Sequence, residues 1–182
     1  MSGAKSVVET AIEALGANGT TNIGEGVMWG WRTLSPGSPF AEGRVYTDVK
    51  NQKIMVVMTD GENTYQTYSN QNKTIYGAFG YALPLPAPLG QGMAGRLGTT
   101  YTQSAILTQM NTKTSAACAN AKAAGIIIYT IAFRLESDPG TLALLRTCAS
   151  ATDKAFLASD GQSLIQTFQA IGREIAQLRV AG

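Results

Sequence analysis

At 182 residues the chain has the length of one ordinary domain with a core of its own. With 45% hydrophobic and 14% charged residues it is globular, and a formal charge of +2 with scattered lysines and arginines excludes a nucleic-acid footprint. Histidine is absent, which removes the commonest general base and the commonest zinc ligand, and no apolar run approaches the roughly 20 residues of a membrane span.

The first fifteen residues, MSGAKSVVETAIEAL, carry apolar residues at helical spacing together with two glutamates. That is an amphipathic helix and no signal peptide, which taken alone points to the cytoplasm. A break over 16–21 is followed by Ile23, Val27, Trp31 and Leu34, a second short helix stopped by Ser35-Pro36-Gly37. Trp29 and Trp31 are expected to pack in the core or against the strands. Residues 44–48 alternate weakly and read as a strand able to fold back as a hairpin across Asn51-Gln52. Ile54-Met55-Val56-Val57-Met58 is too short for a helix, rich in β-branched residues and apolar on both faces, the pattern of a parallel-sheet strand buried on both sides.

Residues from about 61 to 101 are a different material, rich in Tyr, Gly, Asn and Pro, and an insertion of that length is usually functional or mobile. A long helix runs from about Thr102 to a C-terminal cap at Gly125. Residues 126–133 form a second buried strand. Asp138-Pro139 opens a helix whose inner face is Leu142, Leu145 and Cys148. A third strand covers 155–158, and Ser163 with Gln166 reads as a capping box for a last helix striped by Leu164, Phe168, Ile171, Ile175 and Leu178. Strands alternating with helices imply an α/β fold in three layers, a mostly parallel sheet with helices on both faces, with no internal repeat and no linker.

In such sheets ligands sit beyond the carboxyl ends of the strands. Asp60 falls just past one of those ends, and Gly19-Thr20-Thr21-Asn22 brings hydroxyls to a helix entrance. A carboxylate and a hydroxyl are hard oxygen ligands that suit Mg²⁺. The plainer reading makes Asp60-Gly61 a turn and Thr21 or Asn22 an N-cap. Cys118 and Cys148 are either two buried small apolar side chains or one disulfide.

Val56-Val57-Met58-Thr59-Asp60-Gly61-Glu62-Asn63 resembles the signature strand of von Willebrand factor A domains, and Gly19-Thr20-Thr21-Asn22-Ile23-Gly24-Glu25-Gly26 resembles their threonine loop. From about residue 16 to its end the chain is similar to the C-terminal portion of TadG-like proteins of tight-adherence (Tad/Flp) pilus assembly. The segments around Trp29 and Trp31, Tyr76 to Tyr81, Ile128 to Phe133 and Leu145 to Ala149 carry the match, with the final helix.

The resemblance implies a vWA/Rossmann-like fold and a metal-ion-dependent adhesion site for Mg²⁺ or Mn²⁺. Thr21 and Asp60 match two of its ligand positions. The Asp-x-Ser-x-Ser element has no counterpart, since none of the five aspartates (Asp48, Asp60, Asp138, Asp153, Asp160) is followed by the two serines. The site is half present. A partial domain spanning 1–182, with its first strands and a membrane anchor upstream, is therefore expected. An unpaired apolar strand edge at 54–58 gives the same expectation on physical grounds, the rival being a compact, shortened domain with the 44–48 hairpin as its edge.

The implied function is a non-enzymatic protein-binding or adhesion module. Its partner would be a pilus or envelope component, met by Glu62, Asn63, Tyr65 and Tyr68, with Tyr76 and Tyr81 adding contact area. The implied setting is extracytoplasmic, where Cys118 and Cys148 would oxidise. A hydrolase using Asp60 and Glu62 as a carboxylate pair is the enzymatic alternative, although no serine or cysteine nucleophile with a base is visible. A nucleotide-binding reading fails because Gly24-Glu25-Gly26 has no third glycine at the proper offset.

Overall fold

A computed structural model describes residues 4–16, 18–65, 78–79, 97 and 102–180. In chain order the elements are α1 (Lys5–Glu13), α2 (Ile23–Leu34), β1 (Lys53–Thr59), α3 (Gln103–Ala123), β2 (Ile126–Phe133), α4 (Pro139–Cys148), a single 3₁₀ turn, β3 (Ala155–Ala158) and α5 (Gly161–Val180). The sheet runs β1-β2-β3, every pair parallel, with Met55 opposite Ile128 and Ile131 opposite Phe156. The fold is α/β and Rossmann/vWA-like, as the alternation of strands and helices implies.

Local chemistry sets the boundaries. The Thr102 hydroxyl accepts the Ala105 N–H at 3.3 Å to start α3, and Gly125, at φ +84°, ends it where an L residue would be strained. Asp138 Oδ1 accepts the Thr141 N–H at 2.9 Å with Pro139 in the first turn of α4, and the Thr141 hydroxyl, followed by that N–H, lowers the Asp138 pKa. The last helix is capped three residues earlier than the capping box at Ser163 predicts. Asp160 Oδ1 accepts the Ser163 N–H at 2.7 Å while Ser163 Oγ accepts the Asp160 N–H at 3.0 Å, so Ser163 closes the box that Asp160 opens.

One face of the sheet (Met55, Val57, Ile126, Ile128, Ala132) lies under α2, α3 and α4. Cys118 on α3 and Cys148 on α4 are fully buried in that core and joined by a disulfide, with Cα atoms 5.0 Å apart. Tyr129, Ile131 and Ala158 pack on the other face against Ile171, with Leu164 and Ile175 of α5 around them. Thr167 is buried on α5 while Phe168 is 46% exposed, because the buried line runs 164, 167, 171, 175, and Phe168 stands one residue off it. The Leu178 side chain lies outside the described residues.

Three expectations need correction. Residues 44–48 form turns rather than a strand. The Tyr46 hydroxyl is held at 2.8 Å by both Trp31 Nε1 and Ser35 Oγ, and the Arg44 carbonyl accepts Lys53 Nζ at 2.5 Å, which fixes the segment on its own helix. Trp29 is 46% exposed, edge-on to Phe40 with the Arg32 guanidinium 4.6 Å from its ring, whereas Trp31 packs on the core. β1 is not buried on both sides either: α5 lies on β3, with Ile171 against Tyr129 and Ile131 of β2, and Val56 is left 38% and Met58 44% exposed.

The ladder fixes which backbone groups of β1 are paired. Ile128 exchanges bonds with Ser150, and the Arg134 N–H reaches the Ala158 carbonyl, so even-numbered residues of β2 face β3. Odd-numbered residues of β2 then face β1, and in a parallel ladder they bond to Lys53, Met55, Val57 and Thr59. The N–H and C=O groups of Ile54, Val56 and Met58 point to the opposite edge, where among the described residues no strand lies.

Near β3, Lys154 Nζ meets Glu174 Oε1 at 2.5 Å and sits 5.1 Å from the Tyr129 ring centre. Burial, then the Glu174 carboxylate beside it, raises the Tyr129 phenol, and the Lys154 hydrogen bond lowers the Glu174 pKa. A carboxylate lowered on folding stabilises the protein above its unfolded pKa and loses that stabilisation as pH falls through the folded one. Glu174→Gln is therefore expected to flatten the decline of the urea midpoint below about pH 4.5, the effect being modest because the pair is partly solvated. An acid limb identical to that of the parent chain would show the pair contributes nothing.

Candidate functional site

At the carboxyl end of β1 the Thr59 hydroxyl donates to the Gly61 carbonyl at 2.8 Å and accepts the Gly61 N–H at 3.3 Å. This tight turn leaves Asp60 exposed, and Glu62 is exposed after it. The chain then doubles back onto the loop before α2. The Thr64 N–H donates to the Thr21 carbonyl at 2.9 Å and the Thr21 N–H to Thr64 Oγ1 at 2.6 Å. The 19–22 and 60–64 loops are stitched into one rim.

Asn63 holds that rim to the helices. Its Oδ1 accepts the Ile23 N–H at 2.8 Å, one of the donors that the first turn of a helix leaves without an intrahelical partner. Its Nδ2 donates to Asn111 Oδ1 at 2.7 Å and Thr114 Oγ1 at 3.3 Å on α3. Asn22 caps α2 by accepting the Glu25 N–H at 3.0 Å. Gly24 lets the two helices close on this network, since a Cβ there would lie 2.8 Å from Thr114 Oγ1.

The predicted site residues separate accordingly. Thr21, half-buried, and Asp60 and Glu62, both exposed, belong to the same rim. Asn63, expected to meet a partner, is 2% exposed with its side chain turned inward on three bonds. Tyr65 is half-buried and packs with Leu97, Ile106 and Met110. Tyr68, Tyr76 and Tyr81 lie outside the described residues. The plainer reading of the turn and the cap holds as well, because Asn22 and Thr59 do that structural work while Asp60 is left over.

Mg²⁺ or Mn²⁺ takes about six oxygens. Thr21 and Asp60 offer one hydroxyl and one carboxylate, and no group of three or more His, Cys, Asp or Glu able to hold a metal occurs among the described residues. These residues do not by themselves make a cation centre. Sequence reasoning missed Asn111 and Thr114, which are unremarkable positions on a polar helix. It also missed a groove of about 270 Å³ beside the rim, lined by Thr21, Asn22, Ile23, Gly26 and Gly30 and by residues 55–59 of β1. The four-residue spacing of Gly26 and Gly30 was the available signal.

No family model and no curated protein matches the chain. Two solved structures do, both of the pilus adhesin SpaC from Lactobacillus rhamnosus GG, one of them in the open conformation. The likeness has TM-scores of 0.57 and 0.56 at 16% identity and covers 95% of this chain. The chain spans about a fifth, 21%, of that adhesin's length. At that identity the likeness speaks for the fold.

Proposed function

We propose that the chain is a protein-binding module of a surface or envelope protein that serves pilus assembly or adhesion in the manner of TadG-like proteins, and that it catalyses no reaction. The observation that carries this reading is the stitched rim, which holds Asp60 and Glu62 in solvent at the carboxyl end of β1, the strand along whose outer edge no other strand lies among the described residues. Its fold likeness to a pilus adhesin supports the reading, and so does the TadG-like sequence pattern. A divalent cation belongs to the proposal only with further oxygen ligands added to Thr21 and Asp60 by another polypeptide or by segments outside the described residues. The longer parent protein is proposed to be anchored in the envelope, although among the described residues no helix is long and apolar enough to cross a membrane.

The test is surface attachment and pilus display by cells carrying Asp60→Ala, Thr21→Ala or Glu62→Ala in the full-length protein. Asp60→Ala is expected to lower attachment about tenfold, the loss of one charged contact of roughly 1.4 kcal/mol, with the thermal midpoint unchanged. Attachment equal to the parent in all three variants would contradict the proposal.

A further inference from the structure

We infer that Asn18 is a site of spontaneous deamidation, through which the loop leading into the rim gains a carboxylate with no enzyme.

The chain contains the pair Asn-Gly once, at Asn18-Gly19. Deamidation requires the backbone nitrogen of the following residue to reach the carbonyl carbon of the asparagine side chain. Both residues are exposed, so water and hydroxide reach them. Among the described residues neither the Gly19 N–H nor the Asn18 amide has a hydrogen-bond partner, so no bond has to break before the attack. Gly19 has φ +96°, and a Cβ built there would meet nothing within 4 Å, so neither its own residue nor a neighbour crowds the attacking nitrogen. The Asn18 amide nitrogen lies 3.1 Å from where a Cβ of Gly16 would stand, and the glycine leaves it room to turn. Two Asp-Gly pairs could cyclise by the same route, and the fold holds both. The Gly61 N–H donates to the Thr59 hydroxyl at 3.3 Å, and the Gly61 carbonyl accepts from that hydroxyl at 2.8 Å. Asp160 Oδ1 accepts the Ser163 N–H at 2.7 Å, which ties that carboxyl to the first turn of α5.

The step balances with water as the only co-reactant. The Gly19 nitrogen gives its proton to hydroxide and bonds to Asn18 Cγ. The Cγ–Nδ2 bond breaks, and the departing nitrogen takes a proton from water and leaves as ammonia, which regenerates the hydroxide. Water then opens the resulting succinimide at Cγ to give aspartate, or at the main-chain carbonyl carbon to give isoaspartate, whose main chain is one methylene longer. Either product puts a negative charge three positions ahead of Thr21, the residue bonded to Thr64 through both its N–H and its carbonyl. The rim already carries the exposed carboxylates of Asp60 and Glu62, so this end of the molecule becomes more acidic as the chain ages. The stitching itself begins at Thr21 and is left intact.

The experiment incubates the full chain in warm, mildly alkaline buffer, with the same chain unfolded in urea beside it, and locates aspartate and isoaspartate by peptide mapping. Conversion of Asn18 in the folded chain is expected to run within about threefold of the unfolded rate, because a loop without hydrogen bonds carries little local protection. Isomerisation at Asp60 and Asp160 is expected to be slowed about tenfold or more by folding. Each converted molecule shifts by one negative charge on ion exchange. That shift should vanish in Asn18→Gln and form about tenfold more slowly in Gly19→Ala, the penalty of an L residue at positive φ. The urea midpoint of both variants should equal that of the parent, because both side-chain positions are exposed. Conversion of Asn18 slowed tenfold or more by folding, an equal rate in Gly19→Ala, or isoaspartate at Asp60 or Asp160 ahead of Asn18 would each overturn the inference.

Discussion

Asn63→Ala is expected to lower the unfolding free energy by about 3 kcal/mol, the largest loss of any single polar substitution among the described residues. The side chain is buried and joins three elements: the first turn of α2 through the Ile23 N–H, and α3 through Asn111 and Thr114. Truncation removes its own bonds and also strands the Ile23 N–H in the core, and a buried unsatisfied donor costs more than the bond itself contributed. The rim should loosen with it, because the Thr64–Thr21 bonds adjoin Asn63 in sequence. Urea denaturation monitored by tryptophan fluorescence checks the first effect. A loss under about 1 kcal/mol would mean that the rim is held by the loops alone.

Replacing both Cys118 and Cys148 by alanine is expected to cost about 3–4 kcal/mol in the chain-entropy account, which depends on loop length. The cysteines are 30 positions apart and enclose β2 between the helices that carry them. Alanine is the suitable replacement because both positions are fully buried among apolar neighbours, where a hydroxyl would add its own penalty. The dependence of unfolding on urea should steepen as well, since the uncrosslinked unfolded chain exposes more surface. A change below about 1 kcal/mol would show that packing of α3 on α4 holds the region by itself.

What could be read from the sequence was local. β2 announces itself as an eight-residue apolar run, and the caps at Thr102, Gly125 and Asp138 depend on side chains within a few positions of the backbone they serve. What could not be read depends on distant partners. Asn63 looks like a surface residue after a strand until its bonds to residues 40, 48 and 51 positions away are known. Residues 44–48 have the alternation of a strand, but Tyr46 is claimed by Trp31 and Ser35 and Arg44 by Lys53. The apolar pattern of β1 predicts burial of both faces; how far α5 reaches across the sheet decided otherwise for Val56 and Met58. Of the candidate site, Thr21 and Asp60 were legible from their motifs, while their coupling through Thr64 and Asn63 was not.

The rim stands at the end of β1, along whose outer edge no strand lies among the described residues, and amide exchange of β1 in the free chain tests that arrangement most directly. Met55, Val57 and Thr59, bonded to β2, should exchange as slowly as the core of the sheet. Ile54, Val56 and Met58 should exchange about a hundredfold faster or more, giving an alternating pattern along a single strand. Uniform slow exchange from Lys53 to Thr59 would contradict the account, for it would mean that both edges of the strand are already occupied.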